Sequence, residues 1–285
     1  MNALKDFARL LRVQQWYKSS IVFIALLFSG NLFSLPLVFT SLVAFLSLSL
    51  VSSANYIIND LKDLAKDRKH PLKKDRPLAS GRISVTFAKT TIVILLLFGL
   101  LIAYVLNLYF LATLVLLFLL MQVYTFYLKK YLYFDILLIA MFFVLRAVLG
   151  ALALLVWVSP WLIICPFFLA LFLAAMKRHA DLLLLGESSY ETRNVLKQYS
   201  VKQTNRVTLV SAFFLVGSFA WYALQNNVLL ALTLPFACFA LYRYKQLVDS
   251  DPLIGLQTQK AVRDWKLTSL LLIWFSLLLF LLYWI

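Results

Sequence analysis

Stretches of about 20 consecutive apolar residues recur from one end of this chain to the other, and nothing else in the sequence limits its fold as much. A helix needs about 20 mostly apolar residues to cross a bilayer. Nine segments meet that requirement: 19–35, 37–58, 84–106, 108–128, 133–156, 159–178, 204–224, 226–246 and 266–285. Their apolar runs are continuous, whereas the strands of a membrane barrel alternate in character over about ten residues. Short connections at Gly30 to Pro36, at Val158 to Pro160 and at Asn226-Asn227 imply antiparallel neighbours. One cleaved signal peptide does not explain runs along the whole length, and no small-x-small site follows the basic N-terminus, so the first run reads as a retained helix. With 63% hydrophobic and 14% charged residues, the chain lacks the polar surface of a soluble domain. The expected fold is an all-α, polytopic membrane bundle of nine transmembrane helices forming a single integral membrane domain over residues 1–285.

The charges settle which end lies where. Of 27 Lys and Arg, four precede the first span, nine lie between Lys62 and Lys89, two are Lys129 and Lys130, six run from Lys177 to Arg206, and five from Arg243 to Lys266. In a nine-span chain these 26 fall on one side, and Arg146 alone lies inside a span. Basic loops mark the cytoplasmic side, so the N-terminus is expected inside and the C-terminus outside. The net charge of +15 is then mainly topogenic, with membrane lipids rather than nucleic acid as its partner, although the same charge suits anionic headgroups and phosphates. Asp60, Asp63, Asp67, Asp75, Asp181, Glu187, Glu191, Asp249, Asp251 and Asp264 share that face. Cys165 and Cys238 sit in separate apolar runs and read as small core residues; they and the two distant histidines, His70 and His179, point to neither a disulfide nor a metal cluster.

The sharpest local signal is Asn59-Asp60-Leu61-Lys62-Asp63-Leu64-Ala65-Lys66-Asp67, where the second span meets the cytoplasmic surface. On a helix, Asp60, Asp63 and Asp67 fall within about 60° of one face. Three like charges there repel unless a cation neutralises them. Oxygen ligands without His or Cys favour Mg²⁺, which shares its shell with substrate phosphates. The plainer reading is a solvated helix end whose carboxylates pair with Lys62, Lys66 and Arg68. The loop that follows, Arg68-Lys69-His70-Pro71 and then Arg76-Pro77-Leu78-Ala79-Ser80-Gly81, is dense in donors able to cradle phosphate oxygens, or is basic for topology alone.

These residues resemble the UbiA superfamily of intramembrane prenyltransferases, whose pattern is N-D-x-x-D-x-x-x-D at the end of helix two, followed by R-P-x-x-x-G. Asn59, Asp60, Asp63, Asp67, Arg76, Pro77 and Gly81 match it in order. Many members carry a second Asp-rich motif at the end of helix six. Here that place reads Lys177-Arg178-His179-Ala180-Asp181, with a lysine where a metal-binding Asp is expected. The stretch is instead similar to the decaprenyl-phosphate phosphoribosyltransferase branch. So are Arg193, Leu196, Tyr199 and Ser200, Gln15, Trp16 and Lys18, Tyr124 and Lys129, and Phe143 to Ala147; Ser19 departs from the Asn usual there.

The resemblance implies a Mg²⁺-dependent transfer of 5-phosphoribose from phosphoribosyl diphosphate to a polyprenyl phosphate at the cytoplasmic membrane face, in catalytic loops of about 59–83 and 177–203. It implies that Asp60, Asp63 and Asp67, with Asn59, hold Mg²⁺ and diphosphate. Lys18, Arg68, Arg76 and Lys177 then meet phosphate oxygens, with Tyr124, Lys129 and Arg178 as further candidates. Arg146, costly in mid-span, holds the acceptor phosphate or pairs with Asp135 or another buried acceptor, and Lys177 with Asp181 is also spaced for a plain intrahelical salt bridge. The other readings are prenyl transfer from a diphosphate to an aromatic acceptor, a transporter, disfavoured because charge gathers at one face rather than at the midplane, and a non-catalytic scaffold.

Overall fold

The structure is a computed structural model that describes residues 3–69, 73–185, 196 and 198–284. His70, Pro71, Glu187, Glu191 and Arg193 lie outside the described residues. Among the described residues the elements are all helical. They are α1 (Ala3–Leu10), a 3-10 segment (Val13–Val22), α2 (Phe23–Phe28), α3 (Leu35–Lys62), α4 (Leu64–Lys69), α5 (Val85–Leu106), α6 (Leu108–Phe126), α7 (Phe134–Leu154) and α8 (Pro160–Leu185). There follow α9 (Val201–Asn226), a 3-10 turn (Val228–Thr233) leading into α10 (Leu234–Ser250), α11 (Pro252–Leu256) and α12 (Trp265–Tyr283).

Among the described residues, eight helical stretches are long and apolar enough to cross a membrane, against the nine expected. The difference lies at 19–35. That run is shared between the end of the 3-10 segment, the six residues of α2 and a turn through Gly30, whose φ of 76° is left-handed. Its serines explain the break: Ser20 Oγ donates to the Tyr17 carbonyl and Ser29 Oγ to that of Leu26, and such bonds compete with a continuous helical ladder. The remaining spans match the sequence reading to within a few residues, except that α8 continues well past 178. At 28 and 26 residues, α3 and α8 are about 42 and 39 Å long, well beyond a hydrocarbon layer of about 30 Å. Each is therefore longer than the layer it has to cross, with Asn59 and Asp60 in the last turn of α3.

The chain divides into two compact units. The first comprises Met1–Tyr127 and Leu145–Val158. In it α3 lies against α5 with little room: a Cβ on Gly99 would come within 2.8 Å of the Val51 side chain, and Ser47 Oγ donates to the Gly99 carbonyl at 2.7 Å. Leu10, Ala54, Ile57, Leu78, Ala88 and Leu95 form a core that ties α1, α3, α5 and the loop before α5 together. Gly150, late in α7, packs against the backbone of Val22; an added Cβ would fall 2.1 Å from that carbonyl oxygen.

The second unit comprises Leu128–Val144 and Ser159–Ile285. Here α8 and α9 stack Phe168 on Phe214 at 5.2 Å between centroids, while Phe172, Met176, Ala180, Tyr244 and Val248 bury the junction of α8 with α10. Outward-facing Leu97, Phe98, Leu101 and Val105 on α5, and Phe213 and Leu209 on α9, are exposed. Apolar surface on this scale is covered by acyl chains in a protein that resides in a bilayer, and helices satisfy their backbone groups there without water.

Candidate active site

The acidic motif sits where α3 ends. Asp60 is the last acidic residue inside the helix, and Asp63 is its C-cap, with φ −90° and ψ 5°. The interruption spans that one residue, because Asp63 N–H still donates to the Asn59 carbonyl at 3.0 Å and Asp67 N–H to the Asp63 carbonyl at 2.8 Å. The spacing read from the sequence therefore survives a break that the sequence did not announce.

Asp60 and Asp67 are both buried, and both are bound by Arg76. One of its guanidinium nitrogens, Nη1, donates to Asp60 Oδ1 at 2.9 Å and to Asp67 Oδ2 at 2.6 Å. The loop shape explains how Arg76 gets there. Leu78 is buried in the first unit's core, Ser80 N–H donates to the Arg76 carbonyl, Ile83 N–H donates to that of Pro77, and Gly81 turns the chain at φ 75°. A left-handed residue at that turn is the conformational reason for Gly81. The partners of these carboxylates are thus distant in sequence, and not the adjacent Lys62, Lys66 and Arg68. Lys62 donates instead to the Thr125 carbonyl at 2.7 Å and lies over the Phe126 ring at 4.1 Å, and Arg68 is exposed.

Arg12, one of the four basic residues before the first apolar run, also reaches this site. Its guanidinium pairs with Asp60 Oδ1 and lies 5.0 Å from the centroid of Tyr56, one turn earlier on α3. Its backbone is left-handed, with φ 51° and ψ 43°. The only sequence signal for it was its place just before Gln15, Trp16 and Lys18. Those neighbours are themselves anchored: Trp16 Nε1 donates to Ser53 Oγ at 3.0 Å, and Ser53 Oγ donates to the Leu11 carbonyl at 2.8 Å.

Lys18 bonds Gln15 Oε1 at 3.3 Å. Burial, together with the positive charges of Arg146 and Arg12, lowers its pKa to about 8. Arg146 is buried in the same unit, its Nη2 3.9 Å from Met121 Sδ. Nearby, Gln122 Nε2 donates to Asn55 Oδ1 at 2.7 Å, a polar contact between α3 and α6 that the sequence reading did not mark. Asn59, Asp63 and Tyr124 are half-buried in this first unit.

The rest of the expected residues belong to the second unit. Asp135, fully buried, accepts from Arg178 Nε at 2.6 Å and from the Tyr199 hydroxyl at 2.6 Å. Arg178 Nη1 also donates to Asp181 at 2.9 Å, so Asp181 pairs with Arg178. The Tyr199 oxygen accepts from Tyr133 N–H, and burial and the Asp135 charge push its pKa up. His179 bonds Thr204 Oγ1 and Asp249 Oδ1 at 3.0 and 3.1 Å. Lys177 is exposed and Lys129 half-exposed.

Among the described residues no three His, Cys, Asp or Glu side chains close a metal cage of their own. The donor set still fits Mg²⁺. Asp60 and Asp67 already converge on one cationic nitrogen, their oxygens are hard ligands, and Mg²⁺ is usually held by one or two carboxylates plus water and substrate phosphates.

The model of the UbiA prenyltransferase family matches residues 19–254. The chain is a member of that family. Its relatives include the decaprenyl-phosphate phosphoribosyltransferase of Mycobacterium tuberculosis (strain H37Rv), 30% identical over 96% of this chain and 93% of that protein. The protein of the same name from Corynebacterium glutamicum is 29% identical over 96% of this chain and 85% of that one. Among solved structures, a UbiA homolog from Archaeoglobus fulgidus bound to GPP and Mg²⁺ superposes with a TM-score of 0.71 at 18% identity, covering 98% of this chain and all of that one. The fold is thus the UbiA fold, and the protein is an integral membrane transferase of that family.

Proposed function

We propose that this UbiA protein transfers 5-phosphoribose from phosphoribosyl diphosphate to a polyprenyl phosphate and releases diphosphate. The observation that carries the reading is identity of about 30% across nearly the full chain to proteins named decaprenyl-phosphate phosphoribosyltransferase. Lys177 supports it, since a lysine there removes a carboxylate from the second motif that a two-motif prenyl-diphosphate site uses.

The chemistry suits the residues. The C1–O bond to the diphosphate breaks, and a C1–O bond to the lipid phosphate forms. The attacking oxygen is already anionic near neutral pH, so no side chain has to take a proton. Mg²⁺, when bound, neutralises charge developing on the departing diphosphate. Asp60, Asp63, Asp67 and Asn59 are assigned to the metal–diphosphate end. Arg68, Arg76 and Lys177 are assigned to phosphate oxygens, and so are Tyr124 and Lys129. Lys18 and Arg146 are assigned to the acceptor phosphate. Arg178, held by Asp135 and Asp181, is assigned a supporting part. Catalysis is then largely a matter of bringing two anions together among fixed cations. We assign the whole chain to one catalytic domain, with the site and the N-terminus on the cytoplasmic side of the cytoplasmic membrane.

Purified protein incubated with labelled phosphoribosyl diphosphate, decaprenyl phosphate and Mg²⁺ is expected to yield a labelled lipid and free diphosphate. Absence of that lipid, with a prenylated aromatic formed from a prenyl diphosphate instead, overturns the reading.

A further inference from the structure

Arg12 has three properties that rarely coincide by chance. It is a non-glycine residue in the left-handed region, its guanidinium stacks on Tyr56, and it pairs with a buried aspartate 48 residues away. Left-handed backbone in a residue with a Cβ persists only where the surroundings enforce it, and such residues gather at functional sites. The enforcement is visible here. Ser53 Oγ bonds the chain on both sides of Arg12, at the Leu11 carbonyl and at the Trp16 indole, and Gln15 N–H closes a turn onto the Arg12 carbonyl at 2.7 Å. The fold thus spends backbone strain to deliver one guanidinium to one carboxylate.

The delivery changes the charge balance of the acidic site. Asp60 and Asp67 carry two negative charges, and Arg12 and Arg76, bonded to them, carry two positive charges, with Asp63 as the third carboxylate of the motif. A bare divalent cation entering this set meets carboxylates whose charge is already offset. A metal ion that arrives on a diphosphate presents oxygens that the same guanidinium groups can bind through their forked donors. We infer that Arg12 is a positioning residue that orients Asp60 and makes the acidic site favour a metal–diphosphate complex over the free metal ion. The inference rests on the site assigned above but not on the identity of the group transferred, since diphosphate is common to every reaction of this kind.

The test uses the full-length protein in one detergent, with Mn²⁺ and inorganic diphosphate as probes. Wild type is compared with Arg12→Gly, Arg12→Ala and Arg12→Lys. Free Mn²⁺ is titrated by its paramagnetic resonance signal, diphosphate binding is measured at saturating Mn²⁺, and thermal midpoints are recorded. Removing the charge is expected to tighten Mn²⁺ binding roughly fivefold and to weaken diphosphate binding about tenfold, in Gly and Ala variants alike. Arg12→Lys should keep Mn²⁺ binding near the wild-type value and recover part of the diphosphate affinity. Arg12→Gly should melt above Arg12→Ala, because glycine takes the left-handed backbone without penalty. A residue that only holds the fold together predicts weaker Mn²⁺ binding and lower midpoints in all three variants. That result, or unchanged affinity for both probes, overturns the inference. Failure to transfer phosphoribose leaves this experiment intact, so the two readings fail separately.

Discussion

Asp67 is the clearest single-residue case. It is buried, and its carboxylate is bonded to Arg76. Asp67→Asn keeps the shape and removes the charge, so turnover is expected to fall by about 10²–10³-fold with the helical circular dichroism signal unchanged; turnover within threefold of wild type would remove Asp67 from the site. Lys18 gives a pH prediction. Its pKa of about 8, against an ordinary 10.5, means that the folded protein sheds a proton between those values while the unfolded chain keeps it. Stability therefore rises with pH through that window. Anion binding runs the opposite way and should weaken as pH climbs through 8, because Lys18 loses its charge there while the neighbouring Arg146 and Arg12 keep theirs. Binding of inorganic phosphate or diphosphate across pH 7–9.5, in wild type and Lys18→Met, checks the sign, and the variant should lose the step. Arg178 belongs to another class: Arg178→Ala strands the buried Asp135 and should cost about 3–5 kcal/mol, read as a fall in thermal midpoint before any substrate is added. The acidic residues of the site were legible because their spacing is local. Arg12 was not, because its backbone conformation and its partner 48 residues away leave no mark in the neighbouring sequence.

At the scale of elements, the apolar runs foretold α3, α5, α6, α7 and α12 to within a few residues, since a bilayer demands both the length and the composition. They foretold one continuous helix over 19–35, where the described structure has the end of a 3-10 segment, the short α2 and a turn with a left-handed glycine. Close approaches were also hidden in the sequence. Gly150 looks like any small residue in a membrane helix, yet the Val22 carbonyl occupies the place of its missing Cβ. Gly150→Ala is expected to force α7 away from the 3-10 segment that carries Lys18, lowering the thermal midpoint by several degrees and weakening anion binding. Gly217→Ala, where a Cβ meets nothing within 4 Å, is the control and should be neutral. A neutral Gly150→Ala would mean that the segment is not seated as described. The loop bearing Arg76 was readable as basic, but its role as the bridge between two carboxylates needed the turn at Gly81 and the anchor at Leu78.

For the whole molecule, the distribution of charge makes a statement about sidedness that chemistry can check. After Cys165 and Cys238 are replaced, single cysteines introduced at Lys74 and at Trp157 should react with an impermeant maleimide from opposite sides of sealed vesicles, Lys74 from the cytoplasmic side. Labelling of both from one side would contradict the proposed orientation. Composition alone established the membrane class, and one motif with its context established the family. The division into two compact units, each with its own polar cluster, could not be read that way, because it depends on which helices pair and not on how apolar each one is.

The Asp135–Arg178 bond joins the start of α7 to the end of α8, two consecutive antiparallel helices. A hairpin whose acid and base meet at its open end brings no unpaired Asp135 or Arg178 charge into the lipid phase. Either helix alone would drag a naked charge with it. Synthesis of the two helices in succession therefore favours their joint release from the insertion machinery, with pairing achieved before the remaining helices have been made.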